Sequence, residues 1–350
     1  MRFQNKGTFG GEYDRDISDY SRTIETNPSD ARAYCYRGFA YGHKGEYELA
    51  ITDYCTAIEI NPKYADALYG RGIAYRHKGQ YDRAISDYSK ALEINSKYAD
   101  IYYNRGLAYD HMGEYDLAIE DYSKAIEINP QYAYAYKNRG IAYCCKGEYD
   151  RAIEDYSRAV EINPGNAQVY CYRGLAYRNK GEYDRAISDF SKAIETNPTD
   201  SDSYYNRGIA YFHKGQYDRA ISDHNKAIEI NPGSAQAYYS RGNAHDEKGQ
   251  YDQAIEDYSK AIEINPEDAK AYNNRGIAHR HKGEYDLAIE DYNKAVEINP
   301  GEANTCYNRG IVYYHKGEYD RAWEDVRKAQ SLGHTVPPEF IKALRKESAR

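Results

Sequence analysis

Six histidines, His43, His77, His111, His213, His281 and His315, share one register with Cys145, each 34 residues or a multiple of 34 from the next. Imidazole and thiolate are the side chains that hold zinc, but an ion needs its ligands at about 2.0–2.3 Å. Residues that recur at one point of a helical repeat stand on neighbouring helices, whose axes lie about 8–10 Å apart. Most equivalent imidazoles therefore cannot share one ion. A histidine in a last helical turn also gains from the negative end of the helix dipole, which accounts for the column without a metal. The other cysteines, Cys35, Cys55, Cys144, Cys171 and Cys306, form no C-x-x-C pair, which disfavours a zinc knuckle or a thioredoxin-like site and leaves reduced thiols as the expectation. No glycine-rich phosphate loop, H-E-x-x-H or nucleophile elbow is present. The reading is no metal, no cofactor and no enzyme.

A second set of recurring residues is charged. Arg37, Arg71, Arg105, Arg139, Arg173, Arg207, Arg241, Arg275 and Arg309 repeat in step with Asp53, Asp87, Asp121, Asp155, Asp189, Asp223, Asp257, Asp291 and Asp325. Each arginine is predicted to pair with an aspartate of its own or an adjacent unit. An arginine row could instead read acidic ligands, but a cation that recurs in every copy with its counter-charge looks architectural. Removing one partner of a largely buried pair costs about 3–5 kcal/mol, whereas exposed pairs matter much less.

These columns need elements that repeat as they do. Arg-Gly recurs at Gly38, Gly72, Gly106, Gly140, Gly174, Gly208, Gly242, Gly276 and Gly310, always 34 residues apart. With that glycine as the eighth position the chain divides into nine units: 31–64, 65–98, 99–132, 133–166, 167–200, 201–234, 235–268, 269–302 and 303–336. Within the first, Tyr34, Gly38 and Tyr41 share a helical face, Gly45 stops the pattern, and Ala50, Tyr54 and Ala57 resume it before Asn61-Pro62. Two helices per unit follow, since a left-handed glycine ends one helix and proline cannot continue the other. Asp30, Asn166, Asp200, Ser234 and Asp268 stand where the next helix needs an N-cap. Residues 1–30 make an incomplete unit with a second helix at about 13–26, its first helix short and broken by Gly7 and Gly10. Residues 337–350 are expected to form a capping helix, with Phe340, Ile341 and Leu344 on one face.

In the second unit the recurring residues read Leu68, Gly72, Tyr75, Ala84, Tyr88, Ala91, and in the fourth Tyr136, Gly140, Tyr143, Ala152, Tyr156, Ala159, Pro164. This resembles the tetratricopeptide repeat family, with its aromatic, Leu-Gly, Tyr, Ala, aromatic, Ala and Pro, from Gly11 to about Ala329. The resemblance implies an all-α, right-handed superhelical solenoid of antiparallel helix pairs whose first helices line a concave groove. It also implies a protein that holds another protein. Arginine stands in all nine units where the family usually has leucine. Ser96 replaces the proline, His224 the second-helix aromatic, and His245 and His279 the first-helix tyrosine.

With 47 Lys and Arg against 55 Asp and Glu, intermixed, the net charge is −8, which argues against nucleic acid, whose binding draws on a basic face. No apolar run approaches the length of a membrane span, and no signal core opens the chain, so a soluble, cytoplasmic protein is expected. Positions invariant between copies are explained by packing, and those that vary at one place are free to recognise something. Variation gathers on the first helix, and the residues expected to bind are Tyr69, Arg76, Tyr103, Asp110, Lys137, Arg178, Tyr205, Phe212, Tyr239, Asn243, Asn273, Arg280 and Tyr307. Tyrosine there is either a binding hot spot or a cover over neighbouring helices. A clamp for a free chaperone carboxylate is disfavoured, because Ile141 follows Lys137 one turn on where asparagine is required, and Tyr239 precedes Asn243. An internal or helical peptide segment is the expected partner. Self-association through an open amino-terminal end is the alternative.

Overall fold

The 34-residue unit folds as a helix pair because each of its breaks is written twice, once in the side chain and once in the backbone. In a computed structural model, which describes residues 10–349, the first-helix stop at Gly45 has φ +79°. There the Glu46 N–H donates to the Tyr41 carbonyl at 2.9 Å and the Gly45 N–H to the Gly42 carbonyl at 3.1 Å, the paired bonds of a Schellman motif. Only three residues separate the two helices, so the chain must reverse. After the second helix, the Asn61 carboxamide accepts from the Lys63 N–H at 3.2 Å, an Asx turn. Asn95 makes the same bond with the Lys97 N–H at 3.0 Å, so the turn survives the serine that replaces proline at position 96.

The described residues form two units, which divide between Lys180 and Gly181. The first contains α1 (Gly10–Thr26), α2 (Ala31–His43), α3 (Tyr47–Ile60), α4 (Ala65–His77), α5 (Tyr81–Ile94), α6 (Ala99–His111), α7 (Tyr115–Ile128), α8 (Ala133–Cys145), α9 (Tyr149–Ile162) and α10 (Ala167–Asn179). The second contains α11 (Tyr183–Thr196), α12 (Ser201–His213), α13 (Tyr217–Ile230), α14 (Ala235–Glu247), α15 (Tyr251–Ile264), α16 (Ala269–His281), α17 (Tyr285–Ile298), α18 (Ala303–His315), α19 (Tyr319–Ser331) and α20 (Pro338–Ser348). No strand occurs among the described residues, and none of their helices is long and apolar enough to cross a membrane. The expected short first helix in residues 1–10 lies, apart from Gly10, outside the described residues.

Within each unit every helix packs on the next, and successive first helices also touch one another. Successive second helices make no comparable contact among the described residues, so the first helices line the inner side of each stack. The core is small residue against ring. Ala50, Ala84, Ala118 and Ala152 are wholly buried, as are Tyr88 and Tyr122. A Cβ added to Gly72 would lie 2.5 Å from Tyr88 Cε1, and one on Gly140 2.7 Å from Tyr156 Cε1. The recurring glycine is therefore required by close approach, not by its backbone angle. Side-chain caps follow the sequence at Asp30, Asn166, Ser234 and Asp268, while Asp200 accepts instead from Ser203 Oγ at 2.5 Å. At the carboxyl end, α20 buries Leu344 completely and sets Phe340 against Tyr307 and Tyr314.

Candidate functional site

The arginine column is a set of cross-links. Arg139 Nε and Nη2 donate to Asp155 at 2.8 and 2.6 Å within one repeat, and Nη1 donates to Ser123 Oγ at 2.8 Å in the preceding one. The same fork joins Arg37 to Asp53, Arg71 to Asp87 and Arg105 to Asp121 in the first unit. In the second it joins Arg207 to Asp223, Arg241 to Asp257, Arg275 to Asp291 and Arg309 to Asp325. The third donor reaches Ser21, Cys55 Sγ, Ser89, Ser191, Asn225, Ser259 or Asn293. Arg173 donates to Ser157 at 3.0 Å, and the Asp189 side chain is buried. Burial pushes the Asp121 and Asp155 carboxyls up, with their arginines pulling the other way. The arginines also stack their guanidinium carbon near first-helix rings, as Arg105 does on Tyr102 at 5.7 Å.

The histidine column lies on exposed residues but is engaged with neighbouring repeats. His43, His77 and His111 stack on Tyr13, Tyr47 and Tyr81 of the preceding repeat at 5.0, 4.9 and 5.1 Å. In the second unit His213, His281 and His315 stack on Tyr183, Tyr251 and Tyr285. Burial pushes His43 and His77 down. No group of histidine, cysteine, aspartate or glutamate side chains that could hold a metal ion occurs among the described residues.

On the inner side, the tyrosine hydroxyls of the candidate face are tied to the following helix. Asn104 donates to Tyr69 Oη at 3.0 Å, Asn138 to Tyr103 Oη at 2.9 Å, and Asn274 to Tyr239 Oη at 3.0 Å. Asn273 takes the same bond from Asn308 at 3.2 Å. Asn243 accepts from both Tyr258 Oη and Asn274, and Tyr205 packs its ring on His224 at 5.8 Å. This asparagine row was not singled out from the sequence; its signal is a donor 35 residues after an acceptor of like position. Tyr307 is covered by His334 and Phe340, and Phe212 packs on His213 and Tyr217. Lys137 lies over the Tyr134 ring at 5.8 Å, and burial lowers its pKa.

The other charged residues expected to bind are half-buried. Arg76 Nε finds no hydrogen-bond partner among the described residues, and burial pushes Asp110 up. Arg178 and Arg280 lie in the same register on α10 and α16. The tyrosines most exposed among the described residues are Tyr98 and Tyr134, at 48% and 58%.

Comparison with known proteins adds the family. Sequence profiles described as "Tetratricopeptide repeat" match residues 20–52, 99–132, 133–166, 156–188, 201–234 and 239–303, and one described as "TPR repeat" matches 43–77, 74–113 and 174–215. No curated protein sequence matches the chain. Among solved structures, a tetratricopeptide repeat protein from Parabacteroides merdae is 24% identical, covers 72% of this chain and 99% of its own, and superposes with a TM-score of 0.55. The C-terminal part of a TPR repeat-containing protein from Cytophaga hutchinsonii is 23% identical over 70% of this chain and 98% of its own, at 0.57. A structure of the APC/C hetero-tetramer Cut9–Hcn1 is 15% identical over 96% of this chain and 93% of that chain, at 0.52. Repeat profiles that together span most of the sequence, on helix pairs cross-linked at the same 34-residue interval, leave one conclusion: the chain belongs to the tetratricopeptide repeat family.

Proposed function

We propose that the chain is a protein-interaction scaffold that takes a peptide or helical segment of a partner along the first-helix face of its repeats. The fold of this family generally serves protein–protein contact. The carrying observation is a division of labour between columns. Groups that never change are consumed by cross-links between neighbours, as in the Arg139–Asp155–Ser123 fork. Differences between copies collect on the first helices, where Tyr134 on α8 presents its ring to solvent, as does Tyr98 just before α6. Tyrosine offers a large rigid surface with a polar tip and is enriched among residues that dominate binding energies.

The test is selection of peptides by the full chain from a random library, followed by variants on either side of one repeat. Tyr134→Ala and Lys137→Ala on α8 should weaken a selected peptide at least tenfold. Lys124→Ala and Arg151→Ala, on the exposed side of the second helices, should leave it within twofold. Equal losses on both sides, or no peptide selected, would refute the reading.

A further inference from the structure

We propose that the first unit seats a basic side chain of a bound peptide, arginine or lysine, in a ring-walled cavity between α2, α4 and α6. The inference rests on the peptide-binding reading above and names what one part of that face selects. The cavity has a volume of about 250 Å³, and its aromatic wall is Tyr36, Phe39, Tyr64, Tyr69 and Tyr98. Its charged lining, among the described residues, is Asp66 and Asp100. Arg76 lies two turns further along α4 and does not line it.

Gly70 lines the cavity without a side chain of its own. Asn104 and Asn138 occupy the same position in the following repeats, where each fills space and reaches the preceding tyrosine hydroxyl. At position 70 a Cβ would lie 2.5 Å from Tyr54 Cζ, so the Tyr54 ring leans into the place of the missing side chain.

The rings are equally local. Tyr64, Tyr98 and Tyr132 close the first three repeats, and α4, α6 and α8 accordingly lack a side-chain N-cap bond. The corresponding Asp30, Asn166, Ser234 and Asp268 all cap the helix that follows. A side-chain cap stabilises the helix it opens, and three successive repeats forgo it for an aromatic. One of these rings then organises the acid, since Tyr132 Oη donates to Asp100 Oδ1 at 2.6 Å.

A cation satisfies both halves of this lining. Ring faces attract a guanidinium or ammonium within about 6 Å of their centroids, and the carboxylates supply the counter-charge. An apolar side chain would desolvate Asp66 and Asp100 without supplying a counter-charge, and an acidic one would be repelled by them. Cys35 in the same wall offers no competing anion, because burial pushes its thiol up to about 12.

Peptides selected by the full wild-type chain from a random dodecapeptide library provide the probe. The expected result is a basic residue at one fixed position of the selected peptides, whose change to glutamine lowers affinity about tenfold, within the range of a desolvated cation–π contact. Asp66→Asn with Asp100→Asn should lower the affinity of the parent peptide by a similar factor and leave the glutamine peptide unchanged. Tyr98→Ala, at an exposed ring, should repeat that pattern, and a circular-dichroism melt verifies that each variant is folded. Selected peptides without a common basic residue, or a basic residue equally important to wild type and variants, would overturn the proposal while leaving peptide binding intact. A chain that selects no peptide overturns both.

Discussion

His224 stands where other repeats have a wholly buried tyrosine or phenylalanine, and it is itself 0% exposed. Neither imidazole nitrogen has a hydrogen-bond partner among the described residues. Burial, with a smaller contribution from Arg241, pushes its pKa down from 6.5 to about 4. A depressed folded pKa gives stability that is present above the unfolded value and is lost as pH falls through the folded one. One pKa unit is about 1.36 kcal/mol, so full titration removes about 3 kcal/mol, of which about 2 kcal/mol is gone between pH 7 and pH 5. His224→Phe reproduces the wholly buried Phe190 of the preceding repeat and removes two unsatisfied buried polar atoms. The variant should be more stable at pH 7 by about 1–3 kcal/mol, and its advantage should grow by about 2 kcal/mol at pH 5. Because a repeat array unfolds by neighbouring segments, the assay is native-state hydrogen exchange of the α12 and α13 amides, wild type against variant at each pH. An advantage that does not change with pH, or a loss of stability at pH 7, would refute the reasoning.

Gly72→Ala and Gly42→Ala make opposite predictions from one substitution. The first sets a Cβ 2.5 Å from Tyr88 and should cost about 1–3 kcal/mol in chemical denaturation, whereas the second meets nothing within 4 Å and should gain up to about 1 kcal/mol of helix propensity. Arg139→Ala should destabilise more than Asp155→Ala in thermal melting, since the arginine side chain is 19% exposed and can turn to water while the aspartate is 5% exposed. The Arg139→Ala deficit should also narrow from pH 7 to pH 5: a buried carboxyl whose folded pKa is raised regains stability as it protonates. Met112→Lys restores a cation opposite Asp82, as Lys146 faces Asp116, but on an exposed edge it should change stability by no more than about 1 kcal/mol and lose that effect in high salt.

The fold class was legible because its signals are redundant. Gly45 with its positive φ, the Asn61 turn and the small residues against Tyr54 each repeat at 34 residues, and no single failure, such as Ser96, erases the period. The inner face was less legible. Composition marks Tyr69, Tyr103 and Tyr239 as variable and aromatic, but only the coordinates show Asn104, Asn138 and Asn274 holding their hydroxyls. Helix periodicity places both partners on neighbouring first helices without saying which way either side chain leans. The cavity beside Gly70 was the least legible, because a missing side chain has no periodic signal and its lining comes from three helices.

Departures from the repeat therefore differ in kind, and the neighbours decide which kind each is. His245 and His279 lose the tyrosine ring but find Gln250 and Glu284 at 2.8 and 2.6 Å, so the stack absorbs them. His224 finds no hydrogen-bond partner among the described residues, and the prediction above is that it weakens its repeat. Gly70 differs from both: the Tyr54 ring takes the place of its side chain, and together they border a cavity walled by rings and carboxylates. In a chain whose invariant polar groups are consumed by cross-links, a departure that borders a cavity lined by rings and carboxylates is where selectivity for a partner can reside.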